Sequence, residues 1–155
     1  MEIQGVKIPE NYEKALKSAV NILNFADNSE RRLREKLARK GFESDAVDFC
    51  VILLCKSGLL DEKSAIERTI ERLCNVNLYG KNKIVFYLYA KGYKRENIES
   101  VDWKSVDFYE ICEKCHKKLK IRYNDTRKIY WALLRYGFTK EQISAAFTKS
   151  RSIDY

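Results

Sequence analysis

The chain has 155 residues, 45% of them hydrophobic, and carries 30 Lys and Arg against 22 Asp and Glu, a formal net charge of +8. That apolar share is enough to bury a core, so a disordered chain is excluded, and nowhere do about 18 apolar residues run together as a membrane-spanning helix requires. The surplus of positive charge points to a polyanionic partner or an acidic protein surface.

Residues 1–9 lack the apolar core of a secretory signal, so the chain is expected in the cytoplasm with its five cysteines reduced. One Pro and six Gly leave long stretches uninterrupted, and no run alternates apolar and polar residues as a half-buried strand does, so nearly everything reads as helix. In chain order the helices are expected at 12–24, 29–40 and 44–57, with Gly58 as a stop, then 62–75, 81–91 and a shorter 95–100, then 105–119, 125–136 and 139–149. Asp27-Asn28, residues 75–80 and Asn124-Asp125 supply the turns between them.

One pattern is written three times: Leu33/Leu37/Gly41/Phe42/Val47, Ile84/Leu88/Gly92/Tyr93/Ile98 and Ile129/Leu133/Gly137/Phe138/Ile143. Two apolar side chains four apart share a helical face, the glycine ends the helix, and the aromatic turns inward. Phe42, Tyr93 and Phe138 are therefore expected in the core. The next helix starts at once, with Ser44 as N-cap in the first copy and Thr139 with Gln142 as a capping box in the third. Glycines 51 and 45 residues apart are the spacing of a repeated helical unit. The fold expected is all-α: an extension at 1–11, then three-helix repeats at 12–58, 59–103 and 104–155, the last with a short C-terminal tail, stacked into an elongated, curved body.

Charge is uneven. Residues 101–155 carry +5 and the first 100 residues +3, and the densest stretch, Lys114 to Lys128, holds Lys117, Lys118, Lys120 and Arg122 against Asp125 alone. Such a stretch is either a solvated helix face or a contact surface. Cys112-x-x-Cys115-His116 has the spacing of a haem-attachment motif, but an intracellular setting and a helical context make half-buried small apolar residues the simpler account, and no cofactor or metal is expected. One His cannot complete a nucleophile-base-acid set, Gly80 opens no phosphate loop, and Asp61-Glu62 stand at a helix start where carboxylates cap, so catalysis is not expected.

Ser29 through Phe42, Gly58-Leu59-Leu60-Asp61-Glu62, and Gly80 through Ile84, Leu88 and Lys91-Gly92-Tyr93 together resemble the RecX regulatory proteins, and the likeness extends from about residue 15 to 147. The resemblance implies a crescent of three three-helix repeats that lies along the groove of the RecA recombinase filament and modulates, usually inhibits, its ATP hydrolysis and strand exchange without being an enzyme; a monomer is expected. Single-stranded DNA within the filament is a further expected partner, and no membrane is.

Aligned on their glycines, the copies are basic nine residues before Gly: Arg32, Lys83 and Lys128. Positions nine, five and two before Gly cluster on one side of a helix, giving Arg32/Lys36/Arg39, Lys83/Tyr87/Ala90 and Lys128/Ala132/Arg135. This stripe, with Lys117, Lys118, Lys120 and Arg122, is the candidate surface for DNA phosphates or recombinase. Tyr87, Tyr130, Trp131 and Tyr136 either stack on bases or fill the core. A helix-turn-helix-like protein acting directly on DNA is the alternative function.

Overall fold

The computed structural model describes residues 2–3 and 5–153. Nine α-helices are present among them: α1 Glu10–Phe25, α2 Glu30–Arg39, α3 Ser44–Lys56, α4 Glu62–Asn75, α5 Lys81–Ala90, α6 Arg95–Glu99, α7 Phe108–Arg122, α8 Thr126–Arg135 and α9 Lys140–Ile153, with a 3-10 turn at Trp103–Ser105. The extension expected before residue 12 holds the departure from all-helix: β1 (Glu2–Ile3) and β2 (Val6–Lys7) pair antiparallel, Glu2 opposite Lys7 and Ile3 opposite Val6. A hairpin of four paired residues is too short for alternation to announce it.

The chain forms two compact units, one of Met1–Ile66 with Ala90–Asn97 and one of Glu67–Tyr89 with Ile98–Tyr155. In the first, α1, α2 and α3 pack on one another. Ala15 and Ala19, fully buried one turn apart, bring α1 close, and Leu33, Leu37, Cys50, Val51 and Leu54 fill the space between, with Tyr12 and Phe49 stacked at 5.1 Å. Leu33 and Leu37 are each 0% exposed, a burial worth about 1.5–3 kcal/mol apiece. In the second, α7, α8 and α9 pack around Ile111, Cys112, Leu119, Ile129, Leu133, Phe138 and Ile143.

Local signals explain the helix ends. Gly137 takes φ +94°, and the turn closes with Gly137 N–H to Leu134 O (3.0 Å) and Phe138 N–H to Leu133 O (3.3 Å), which buries the aromatic at 2% exposure. The Thr139–Gln142 box forms reciprocally: Thr139 N–H donates to Gln142 Oε1 (3.0 Å) and Gln142 N–H to Thr139 Oγ1 (3.2 Å). Ser44 is not the N-cap of α3. Glu43 holds that place in an extended conformation without a side-chain bond, and Ser44 is the first helical residue, because the Gly41-Phe42 turn needs one more extended residue before the chain reverses. α7 starts at Phe108, not 105, because Asp107 accepts from Glu110 N–H (3.0 Å) while residue 105 closes the 3-10 turn. α9 continues to Ile153, four residues beyond the expected 149, since no Gly, Pro or capping residue stops it; Asp154 and Tyr155 of the expected tail, like Met1 and Gln4 of the extension, lie outside the described residues.

Candidate functional site

The starts of the glycine-terminated helices receive the ends of other helices. In the first unit, Ser29 caps α2 by accepting Arg32 N–H (3.1 Å) and donates its own hydroxyl to Lys91 O (2.7 Å), just past the end of α5. Arg32 adds a guanidinium bond to Ala90 O (3.2 Å) and lies 3.9 Å from Glu35. In the second unit, Gly80 N–H donates to Tyr136 O (2.7 Å) and Asn82 N–H to Gly137 O (3.2 Å), so the start of α5 takes the end of α8. Lys83 lies over the rings of Tyr79 (4.0 Å) and Tyr136 (5.0 Å), which meet edge to face. The positive end of one helix dipole faces the negative end of another, and at the start of α5 the Gly80 and Asn82 amides find carbonyls there. A Cβ on Gly80 would stand 2.4 Å from Gly137 C, so only glycine permits this approach.

Ser29 and Gly80 stand twelve residues before their glycines; Asp125 stands there in the third copy. Its carboxylate accepts Arg127 N–H (2.9 Å) within its own helix.

Glu62, 9% exposed, holds the first unit together at a second point. Its carboxylate accepts Glu30 N–H (2.8 Å) at the start of α2, and Lys94 N–H (3.3 Å) and Asn97 Nδ2 (3.0 Å) at the start of α6. Asp61 caps α4 itself through Ser64 N–H (3.2 Å). The acidic pair does cap, as expected, though Glu62 serves neighbouring helices. Beside it Lys94 bonds Glu30 (2.8 Å), which holds the Glu30 carboxyl below the usual carboxylate range and raises Lys94.

The candidate cations fall into two groups. Arg32 and Lys83 are half-buried fasteners, Lys36 donates to Asn28 Oδ1 (2.7 Å), and the Tyr87 hydroxyl accepts from Arg72 (3.3 Å). Arg39, Lys128, Arg135, Lys117, Lys118, Lys120 and Arg122 are exposed; Lys120 reaches Ser150 Oγ (3.0 Å) and Arg122 lies over Tyr123. Arg32, Lys36 and Arg39 belong to the first unit, the remaining candidates to the second. Tyr136 is taken up by the Lys83 cluster, whereas Trp131 stays 59% exposed with Tyr130 edge-on at 5.7 Å.

Cys112 and Cys115 are core residues at 0% and 1% exposure, more deeply buried than the half-buried state expected, and desolvation pushes their thiols up to about 12 and about 11. His116, 3% exposed against the Phe147 ring, is lowered by burial and by Lys120. Among the described residues no group of three or more His, Cys, Asp or Glu is placed to hold a metal, and no helix is long and apolar enough to cross a membrane. Phe147 and Arg151 carry no signal in the sequence; the packing of α9 on α8 brings them beside Trp131.

The family model described as RecX, first three-helix domain, matches residues 15–51. The regulatory protein RecX of Vibrio cholerae serotype O1 is 30% identical over 141 residues, spanning 87% of this chain and 92% of its own, and that of Clostridioides difficile strain 630 is 28% identical over 162 residues, spanning 99% and 76%. The crystal structure of RecX from Lactobacillus salivarius shares the fold, with a TM-score of 0.80 over 92% of this chain and 97% of that one at 21% identity. With likeness running the length of both the sequence and the helical order, the chain belongs to the RecX family of regulatory proteins.

Proposed function

We propose that this chain binds the filament of the RecA recombinase and regulates it, chiefly by inhibiting ATP hydrolysis and strand exchange, as a cytoplasmic monomer that acts by binding and not by catalysis. Family membership carries the reading. Three three-helix repeats, 12–58, 59–103 and 104–155, supply the scaffold, and single-stranded DNA inside the filament is a partner alongside the recombinase. The exposed cations, Arg39 in the first unit and Lys117, Lys118, Lys120, Arg122, Lys128 and Arg135 in the second, are the proposed contacts with phosphate or acidic protein surface; Lys36 and Tyr87 are further candidates, and Arg32 and Lys83 also fasten helices within their own units. A ligand of this kind alters the filament only through unequal affinity for its active and inactive states.

The test is recombinase ATPase on single-stranded DNA, titrated with this protein. Suppression at protein well below the DNA concentration is expected; unchanged turnover with folded protein refutes the proposal. Tight sequence-specific duplex binding without recombinase would instead favour the helix-turn-helix alternative.

A further inference from the structure

The groove between α8 and α9 has a lining that the helix junctions do not use. Tyr130 and Trp131 form one wall, Phe147 and Thr148 the other, and Arg127 and Arg151 stand at its rim, around a volume of about 450 Å³. That lies within the roughly 300–1,000 Å³ typical of small-ligand clefts. Phe147 is backed by the His116 ring at 4.5 Å, so this wall is fixed by the core. Trp131 is 59% exposed, and the lining holds two guanidinium groups and no carboxylate. The position six before the repeat glycine is Glu35 in the first copy, Phe86 in the second and Trp131 in the third, where it lines this cationic groove.

An exposed indole beside a second aromatic offers a face to a flat ring, and guanidinium groups flanking it offer charge to an anion on either side. A nucleotide within a single strand carries both features, and a duplex hides its base faces in the stack. We propose that the α8–α9 groove binds an unpaired nucleotide of single-stranded DNA, its base stacked against Trp131 and Tyr130 and its flanking phosphates paired with Arg127 and Arg151. The proposal rests on the filament reading above and adds which residues take the strand.

The experiment omits the recombinase. Fluorescence anisotropy at low salt compares a labelled oligothymidylate of about 12 nucleotides, a length that single-strand binders cover, with an abasic oligomer of equal charge and with a duplex. The oligothymidylate should bind and quench tryptophan emission, the abasic strand should bind roughly tenfold or more weakly, and Trp131→Ala should lower affinity for the oligothymidylate by a similar factor. Combining Arg127→Ala with Arg151→Ala should flatten the salt dependence, and since both side chains are exposed this variant keeps the fold if Trp131→Ala does not. Absence of binding, equal binding of the abasic strand, or oligothymidylate affinity unchanged in both variants would overturn the proposal. If the variants bind the strand normally but no longer suppress recombinase ATPase, the groove takes protein and the proposal also falls. Failure of strand binding leaves the ATPase titration standing, and failure of that titration leaves the groove standing.

Discussion

Replacing Gly80 by alanine tests the junction of α5 with α8. A Cβ there would lie 2.4, 2.5 and 2.6 Å from Gly137 C, Gly137 O and Phe138 N, all backbone atoms that cannot rotate away. Reaching ordinary contact at about 3.5 Å requires the two helix ends to separate by roughly 1 Å. That shift stretches the 2.7 Å bond from Gly80 N–H to Tyr136 O and the 3.2 Å bond from Asn82 N–H to Gly137 O beyond useful range. Each bond contributes about 0.5–1.5 kcal/mol net, and the groups left without partners in a buried site add to the loss, for a total of about 2–4 kcal/mol. In a chain of this length that lowers the melting temperature by roughly 5–15 °C. Thermal and urea unfolding followed by far-UV circular dichroism measures the loss, and hydrogen exchange should show the amides of residues 80 and 82 losing protection first. A Gly80→Ala variant within about 0.5 kcal/mol of the parent would refute the contact geometry and the fastening role derived from it.

Glu62→Ala removes the acceptor that Glu30 N–H, Lys94 N–H and Asn97 Nδ2 share and should cost about 2–4 kcal/mol in urea unfolding, more than Glu67→Ala on the exposed face of the same helix. The Glu30 carboxyl is lowered in the folded state, so its contribution is present above the ordinary glutamate pKa of about 4.3 and is lost as pH falls through the folded value. Lys94→Met should therefore reduce stability at pH 7 and leave a shallower decline below about pH 4.5; identical pH curves would contradict the pairing. Cys55 is exposed while Cys50, Cys74, Cys112 and Cys115 are buried, so iodoacetamide at pH 8 should label one thiol quickly and the others only as the protein unfolds, read by intact mass. Arg32→Glu should lower stability by about 1–3 kcal/mol because a carboxylate would face the Ala90 carbonyl, whereas Lys128→Glu should leave the melt unchanged and weaken filament binding. The reverse assignment of losses would invert the roles given to these two cations.

The helices and their glycine turns were readable from the chain because they rest on local causes: a 3.6-residue apolar period, a positive-φ glycine, and a Thr139–Gln142 box three residues long. The start of α3 shifted by one residue for an equally local reason, since Ser44 suits either the cap or the first turn. What could not be read were meetings between distant residues. Ser29 and Lys91 are 62 positions apart, and nothing in either neighbourhood says that a serine hydroxyl will answer that carbonyl. The basic residue nine before each glycine was visible as a regularity, but a guanidinium capping a helix end and an ammonium facing water look alike in a sequence. Glu62 was read as capping its own helix, because the two other starts it serves come from residues 30 and 94. Phe147 and Arg151 gave no signal at all until α9 was laid against α8.

Asp125 accounts for the difference between the third copy and the first two. The Ser29 hydroxyl and the bare Gly80 amide each donate to a carbonyl at or just past another helix's end. Unlike the Ser29 hydroxyl, the Asp125 carboxylate has no proton to give, and unlike the bare Gly80 it would set negative charge against the negative end of an approaching helix dipole. Among the described residues no backbone bond brings another helix's carbonyl to the start of α8. Lys128, at the position where Arg32 and Lys83 act as fasteners, consequently remains exposed, and Arg127 is left at the rim of the α8–α9 groove. One spacing of residues thus accompanies internal fastening twice and exposed charge once, with Arg127 and Lys128 left facing solvent beside the residue that ends the series.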